Sequence, residues 1–352
     1  MSYCYYLAER KNSATLTEVN INQATMTTIQ FKDQKFTIME GTSVLDVLLE
    51  NGQNIPYGCR AGACHACILI AKPEQIPDDC QTGLSTAEVQ KGYFLSCQCQ
   101  AEIDMQVAIP DRCSEKIVVA IADKYMLNKR TLGLRLNTRL RWHAGQYLTL
   151  WINDHCARCY SIASVARLDS QMELHIRVHP NGQVSQYLKD HCDIGDTLQV
   201  QGPLGSCCYQ DDKPEQTLML LAEGTGLSPI LGILRDALAQ NHRGDINLLI
   251  SNRQAEDFYL LGELAELKKK YSLFNYQLAL SKPKDDSGPA STAWNTPIDA
   301  QLRRDFSGLR GHKVYICGGI EFVTNLKKQC FLQGASPRDI ICEEFINFSA
   351  AK

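Results

Sequence analysis

Cys59, Cys64 and Cys67 stand at the spacing C-x4-C-x2-C, and Cys97 follows about thirty residues later. Four thiolates at these intervals can hold two bridged irons as a [2Fe–2S] cluster. The residues between the first three are small: Gly58, Ala61, Gly62, Ala63 and Ala66. A loop of that kind wraps a cluster closely, and glycine adopts the backbone angles that turn N–H groups toward sulfur. Four structural cysteines or a zinc site are the alternatives. Zinc usually draws its ligands from two short Cys pairs, whereas here the fourth cysteine stands alone. Cys80 and Cys99 compete for the fourth place, but the setting Phe94-Leu95-Ser96-Cys97-Gln98 favours Cys97.

A second constellation is Arg158-Cys159-Tyr160-Ser161-Ile162-Ala163-Ser164. Along one strand edge it offers a guanidinium, an aromatic plane and hydroxyls. An isoalloxazine ring with a pyrophosphate tail needs that set: a face to stack on, a cation for phosphate and donors for the ring. Taken alone, the stretch reads equally as an ordinary strand. Gly224-Thr225-Gly226-Leu227-Ser228-Pro229 follows the apolar run Leu218-Met219-Leu220-Leu221-Ala222. G-x-G-x-x-P is a weak signal in isolation. Between a strand and a helix with Pro229 in its first turn, it makes a seat for a pyrophosphate on a helix N-terminus. Cys317-Gly318-Gly319 ends another apolar strand, at the edge where α/β sheets bind ligands, although a buried thiol at a tight turn would look the same.

The chain has 352 residues, 44% hydrophobic and 21% charged, enough for two or three domains with real cores. A net charge of −3 without basic runs excludes nucleic acid as a partner. No segment approaches eighteen uninterrupted apolar residues, so no membrane span is expected. The opening Met1-Ser2-Tyr3-Cys4 lacks a basic start and a long apolar run, which predicts a cytoplasmic protein. Its sixteen cysteines are then reduced, and those outside the cluster set read as small buried hydrophobes rather than disulfides.

These residues need three kinds of element to position them. Residues 1–25 are polar, without periodicity, and receive no role. From Met26, two alternating strands lead to a helix capped by Ser43, and Pro56 ends regular structure before the cysteine loop. Ile68-Leu69-Ile70 reads as a buried strand and Ser85 to Glu88 as a capping box. After the linker Pro110-Asp111-Arg112, short strands with glycine-containing turns predict an antiparallel barrel to about residue 209. Beyond Gln216, strands at 218–222, 246–250 and 314–319 alternate with helices, which predicts a parallel α/β sheet. Residues 282–297 read as a polar surface loop.

Residues 26–111 resemble the plant-type ferredoxins, through Tyr57-Gly58-Cys59-Arg60-Ala61-Gly62-Ala63-Cys64-His65-Ala66-Cys67 and the Phe94–Gln98 stretch. That resemblance implies a β-grasp fold with Cys59, Cys64, Cys67 and Cys97 as ligands, and His65 a surface residue. The Arg158–Ser164 motif, following Ala144-Gly145-Gln146-Tyr147, resembles the R-x-Y-S flavin motif of the ferredoxin–NADP⁺ reductase superfamily. It implies an FAD-binding barrel at 112–210. Tyr160 would stack on the flavin, Arg158 meet the pyrophosphate, and Ser161 lie near the reactive ring nitrogen, with Ser164 among the FAD contacts. Gly182, Val184 and Ser185 match a second phosphate loop. Residues 211–352 would be the NAD(P)-binding domain, with Gly224, Thr225, Gly226, Pro229 and Gly318 at the dinucleotide and Cys317 near the nicotinamide. Ser251-Asn252-Arg253 would face the adenosine ribose. Arg253 suits a 2′-phosphate, but Glu256 and Asp257 repel one, so NADH is expected over NADPH. The tail Cys342-Glu343-Glu344-Phe345 resembles the acidic–aromatic end of these reductases. Glu343 joins the catalytic set there, and Phe345, or Phe348 in this longer tail, covers the flavin.

The order ferredoxin, flavin, nucleotide resembles the reductase components of bacterial ring-hydroxylating oxygenases. It implies FAD rather than FMN, a terminal oxygenase component with a Rieske or diiron centre, or that component's ferredoxin, as transient partner, and a monomeric chain. The reaction requires no acid–base dyad and none is expected. Electron supply to a deoxysugar-forming dehydratase and a redox-sensing iron–sulfur protein are the rival readings.

Overall fold

The computed structural model describes residues 27–55, 57, 60, 62, 65–84, 86–110, 116–153, 156–281 and 296–345. Cys59, Cys64, Ser85, Phe348, the N-terminal arm, most of the 282–297 loop and residues 111–115 lie outside them.

Thr28–Phe31 (β1) and Gln34–Thr37 (β2) pair as an antiparallel hairpin. Helix α1, Val44–Glu50, starts at Ser43, whose Oγ accepts the Asp46 N–H at 3.1 Å. That bond satisfies a first-turn donor the helix leaves open, while Val44, Leu45, Val47 and Leu48 are buried. Ile68–Ile70 (β3), α2 at Thr86–Gln90, Tyr93–Leu95 (β4) and Met105–Val107 (β5) complete the unit. β5 runs parallel to β1 with α1 across them, the β-grasp arrangement. The Val44 and Leu45 N–H groups donate to the Cys99 and Ser96 carbonyls, fastening α1 to the segment that carries Cys97.

The barrel is built from Ile117–Asn128 (β6), Thr131–Asn137 (β7), Tyr147–Asn153 (β8), Cys156–Ser161 (β9), Met172–Arg177 (β10) and Thr197–Leu204 (β11), with α3 at Gln183–Asp190 before the last strand. Strand order is β10-β7-β6-β11-β8-β9, all antiparallel, and an Ile162–Leu174 bridge closes the circle. Alternate positions (Leu132, Leu134, Leu136; Leu148, Leu150; Leu174, Ile176; Leu198, Val200) fill the inside, as period-two strands require.

One polar group inside this unit gives a stability prediction. Glu173 on β10 accepts from the Tyr125 hydroxyl, pairs with His175 Nε2 at 3.3 Å and with Arg135 Nε at 3.3 Å. Burial alone would raise its pKa, but the His175 and Tyr125 hydrogen bonds outweigh it and hold the carboxyl at about 2. A depressed carboxylate pKa stabilises the fold above its unfolded value of about 4.3, and that gain is lost as pH falls toward 2. Glu173→Gln is therefore expected to destabilise the barrel by about 2–3 kcal/mol at neutral pH. The gap to the parent should shrink steadily below pH 4 in denaturant titrations; a constant gap would refute the ionic origin.

The third unit is a five-stranded parallel sheet: Leu218–Glu223 (β12), Ile246–Asn252 (β13), Phe274–Leu280 (β14), Lys313–Gly319 (β15) and Ile340–Phe345 (β16), in order β14-β13-β12-β15-β16. Helices α4 (Leu227–Ala239), α5 (Leu261–Lys270), α6 (Ile298–Asp305) and α7 (Ile320–Leu332) connect them. The chain direction across the sheet reverses between β12 and β15, so a ligand crevice opens at their carboxyl ends. Helix α4 packs backbone-close on the barrel: a Cβ at Gly232 would lie 2.9 Å from the Ala163 carbonyl oxygen. No described helix is long and apolar enough to cross a membrane.

Candidate functional site

Cys67 and Cys97 are drawn together by Ser96. Its Oγ and its N–H both donate to the Cys67 carbonyl, at 2.7 and 3.2 Å. Gln98 Nε2 donates to Cys97 Sγ at 3.4 Å and to the Arg60 carbonyl at 3.2 Å. A hydrogen bond with Cys67, joined by Gln98 and the Gly62 and Cys97 N–H groups, outweighs burial and holds the Cys97 thiol down to about 6. Gly62 sits at φ +79°, where a side chain is strained, and a Cβ there would press on Gln98 and Leu95 at 3.3–3.4 Å. A thiolate ringed by N–H donors suits an iron–sulfur ligand, so the described half of the site fits the cluster. The competing cysteines are occupied elsewhere: Cys80 and Cys99 are buried core thiols, and a hydrogen bond with Cys99 together with burial pushes the Cys80 thiol far up. His65, expected at the surface, is half-buried, and burial lowers its pKa.

The cluster loop rests on the barrel. Ala66, next to Cys67, packs against Trp151 on β8 and Ala157 and Cys159 on β9. Arg158 and Tyr160 lie on that same β9. Arg158 Nη1 donates to the Ala157 carbonyl at 2.7 Å, which lays the guanidinium along the strand, and burial pushes the Tyr160 phenol up. Gly182 precedes α3 with no side chain capping the helix; a Cβ at Gly182 would stand 2.4 Å from Ser185 Oγ. The sequence showed this stretch as a phosphate loop, and the structure makes it a helix N-terminus. Val184 is buried and anchors it, while Ser185 Oγ accepts the His179 N–H at 3.2 Å. Cation, ring and uncapped helix end fit an FAD. Ser164, expected among the FAD contacts, is fully buried, and its Oγ accepts the Glu173 N–H at 2.9 Å.

Ser161 joins the two larger units. Its carbonyl accepts Ser228 Oγ at 3.0 Å and its own Oγ donates to Glu343 Oε1 at 2.6 Å. Burial raises the Glu343 carboxyl to about 7, against the Ser161 bond. This hydroxyl–carboxyl pair, 182 residues apart, was not expected from the sequence. The tail that carries Glu343 is not a loose end but strand β16, with Glu343 opposite Cys317 and Phe345 opposite Gly319. Cys317 is fully buried.

The Gly-x-Gly turn lies at the crevice. Gly224 takes φ +58° in open space, whereas a Cβ at Gly226 would stand 2.0 Å from the Cys317 carbonyl oxygen. Pro229 is buried in the first turn of α4, and no side chain caps that helix. Thr225 is half-buried beside it. Glu223, which sequence reasoning passed over, ends β12 with Oε2 accepting the Gly319 N–H at 3.3 Å; burial raises its pKa. Its place directly before Gly224 was the available signal. A Cβ at Gly318 would lie 2.9 Å from Glu223 Cβ. Arg253 and Glu256 are exposed near the end of β13, but Asp257 is buried and bound by Arg177 at 3.0 and 3.3 Å. Of the two acids expected to oppose a 2′-phosphate, Asp257 is thus neutralised.

Three sequence families match in the same order: the "2Fe-2S iron-sulfur cluster binding domain" at 27–102, the "Oxidoreductase FAD-binding domain" at 120–209 and the "Oxidoreductase NAD-binding domain" at 220–328. The chain is 32% identical to the reductase subunit of an aromatic O-demethylase from an Amycolatopsis species, over 87% of this chain and 94% of that one. It is 29% identical to the ferredoxin–NAD(P)⁺ reductase component of the naphthalene 1,2-dioxygenase system of Pseudomonas putida, over 90% and 97%. Among solved structures, an Amycolatopsis cytochrome P450 reductase superposes with a TM-score of 0.63 at 27% identity, covering 91% of this chain and 98% of that one. Cluster loop, flavin strand and dinucleotide crevice in one chain, with these relatives along nearly its whole length, make it a member of the NAD(P)H-dependent ferredoxin reductases in which a [2Fe–2S] domain precedes the FAD and NAD modules.

Proposed function

We propose that this oxidoreductase takes electrons from NADH and passes them through FAD and a [2Fe–2S] cluster to a terminal oxygenase component. The observation that carries the reading is the seat of the cluster loop: Ala66 lies on Trp151 and Ala157, on the strands that present Arg158 and Tyr160. The three groups supply hydride donation, the change from paired to single electrons, and single-electron delivery. The chain's own residues hold them. Residues 26–111 form the cluster unit, 112–210 the FAD unit and 211–352 the nucleotide unit, and residues 1–25 carry no assigned role. Cys59, Cys64, Cys67 and Cys97 hold the irons. Tyr160 supplies a stacking face, Arg158 and the α3 N-terminus at Gly182, Val184 and Ser185 the pyrophosphate contacts. Gly224, Thr225, Gly226, Pro229, Arg253 and Gly318 cradle the second dinucleotide. Ser161 and Glu343 keep a proton between their oxygens at the edge where Cys317 lies, and Phe345 shields that edge from water. The oxygenase partner follows from the relatives, which are named for dioxygenase and demethylase systems.

The purified protein should show flavin absorption with a broad iron–sulfur shoulder, both bleached anaerobically by NADH, and should support a purified oxygenase. Failure to bleach would sink the reading. Preference for NADH rests on exposed Glu256 beside Arg253; Glu223 at the crevice bears on the pyrophosphate common to both nucleotides. Glu223→Gln removes a carboxylate from beside the incoming pyrophosphate while keeping an acceptor for Gly319. The KM for NADH is expected to fall by about threefold to tenfold, kcat staying put. An unchanged or higher KM would place Glu223 outside the dinucleotide path.

A further inference from the structure

Cys207 lies just past β11, outside every motif described above. Its Sγ is 3.8 Å from Cys317 Sγ, and both thiols are buried. Glu343 is the register partner of Cys317 on the adjacent parallel strand. The ligand atoms of Cys207, Cys317 and Glu343 all lie within 4.8 Å of one another. Glu343 Oε1 receives the Ser161 hydroxyl, but Oε2 is buried with no partner among the described residues.

We propose that Cys207 Sγ, Cys317 Sγ and Glu343 Oε2 form a binding site for one soft divalent cation of the zinc class, and that its occupancy blocks electron transfer from NADH. The sulfur spacing supports a metal. Two thiolates at about 2.3 Å from a tetrahedral zinc stand about 3.8 Å apart, and the observed separation is 3.8 Å. A disulfide needs about 2.05 Å. The backbone that carries both cysteines is closely packed, the Cys207 and Cys317 carbonyl oxygens standing where Cβ atoms at Gly145 and Gly226 would each fall 2.0 Å away. Two thiolates and one carboxylate select zinc or cadmium over magnesium or calcium. Three protein ligands leave a fourth position for water. On binding, the two thiol protons pass to solvent. The cation fixes Glu343 through Oε2, leaving Oε1 on Ser161, and occupies the Cys317 sulfur. Binding stands on the three side chains alone; the block rests on the function proposed above, in which Cys207 has no part.

The test uses the holoprotein, zinc chloride in equilibrium dialysis, cadmium chloride in ultraviolet difference absorption, and NADH-dependent reduction of a flavin-reactive dye. The parent should bind one equivalent more than Cys207→Ala and show a cadmium–thiolate band that the variant lacks. Zinc should inhibit the parent, and the inhibiting concentration should rise roughly a hundredfold in Cys207→Ala. Without zinc, Cys207→Ala should reduce dye at the parent's rate, and Cys208→Ala should respond to zinc as the parent does. Equal inhibition of the parent and Cys207→Ala, or no extra bound equivalent, would overturn the proposal. A parent that reduces no dye even without zinc would instead overturn the proposed function, and dialysis would still decide the site.

Discussion

Cys97→Ala is expected to lower NADH-dependent reduction of a protein acceptor by about a hundredfold or more while leaving dye reduction within about twofold of the parent. The residue is a cluster ligand in this reading, so its loss removes the iron–sulfur shoulder. Among the described residues its hydrogen-bond partners are Cys67, Gln98 and the Gly62 backbone, all within the first unit. The buried face of α1 and the Ser96–Cys67 bonds do not involve the Cys97 sulfur. The β-grasp unit should therefore still fold, and circular dichroism can check it. Stopped-flow assays of both acceptors on one preparation decide the matter. A parallel fall in the two rates would mean that the cluster lies before the dye's point of electron exit, or that the units fold as one.

Gly226→Ala should have the other large effect. An added Cβ would lie 2.0 Å from the Cys317 carbonyl oxygen and 2.6 Å from its carbon, and both are backbone atoms with no rotamer to escape through. The turn and β15 must separate. We expect a loss of about 3 kcal/mol or more in the stability of the nucleotide unit. A fall of about a hundredfold in kcat/KM for NADH should accompany it, because displacement of about 1 Å at a reacting edge is enough for that. Gly224→Ala is the control. Its φ of +58° imposes about 1–2 kcal/mol of backbone strain, but the added methyl meets nothing within 4 Å. If the two variants lost activity equally, steric contact with Cys317 would not be the reason for glycine at 226.

The legible parts of this chain were those set by local chemistry. Ser43 with Asp46 three residues on announced a helix start, and α1 begins there. The apolar run at 218–222 could only be a strand buried on both faces, and it became the centre of the parallel sheet. Edge strands were harder. Residues 274–280 alternate with polar Asn275 and Gln277 and passed unnoticed, and Cys342-Glu343-Glu344-Phe345 read only as an acidic–aromatic tail, with no sign that it forms the paired strand β16. Helix α3 hid behind its phosphate-loop resemblance. What no local pattern carries is pairing at long range. The Ser161–Glu343 bond, the capture of Asp257 by Arg177 and the bond from the Glu173 N–H to Ser164 each depend on a partner distant along the chain.

The apolar seat of the front unit, a single alanine set on Trp151, Ala157 and Cys159, differs in kind from the backbone-to-backbone packing of α4 on the barrel. The second demands glycine at 232; the first, among the described residues, seats one small residue of the cysteine loop, Ala66. Such asymmetry leads us to expect that the ferredoxin portion can be exchanged while the barrel and the nucleotide unit stay together. Chimeras that graft a foreign ferredoxin with alanine at this position should keep their pyridine-nucleotide chemistry and acquire a new clientele.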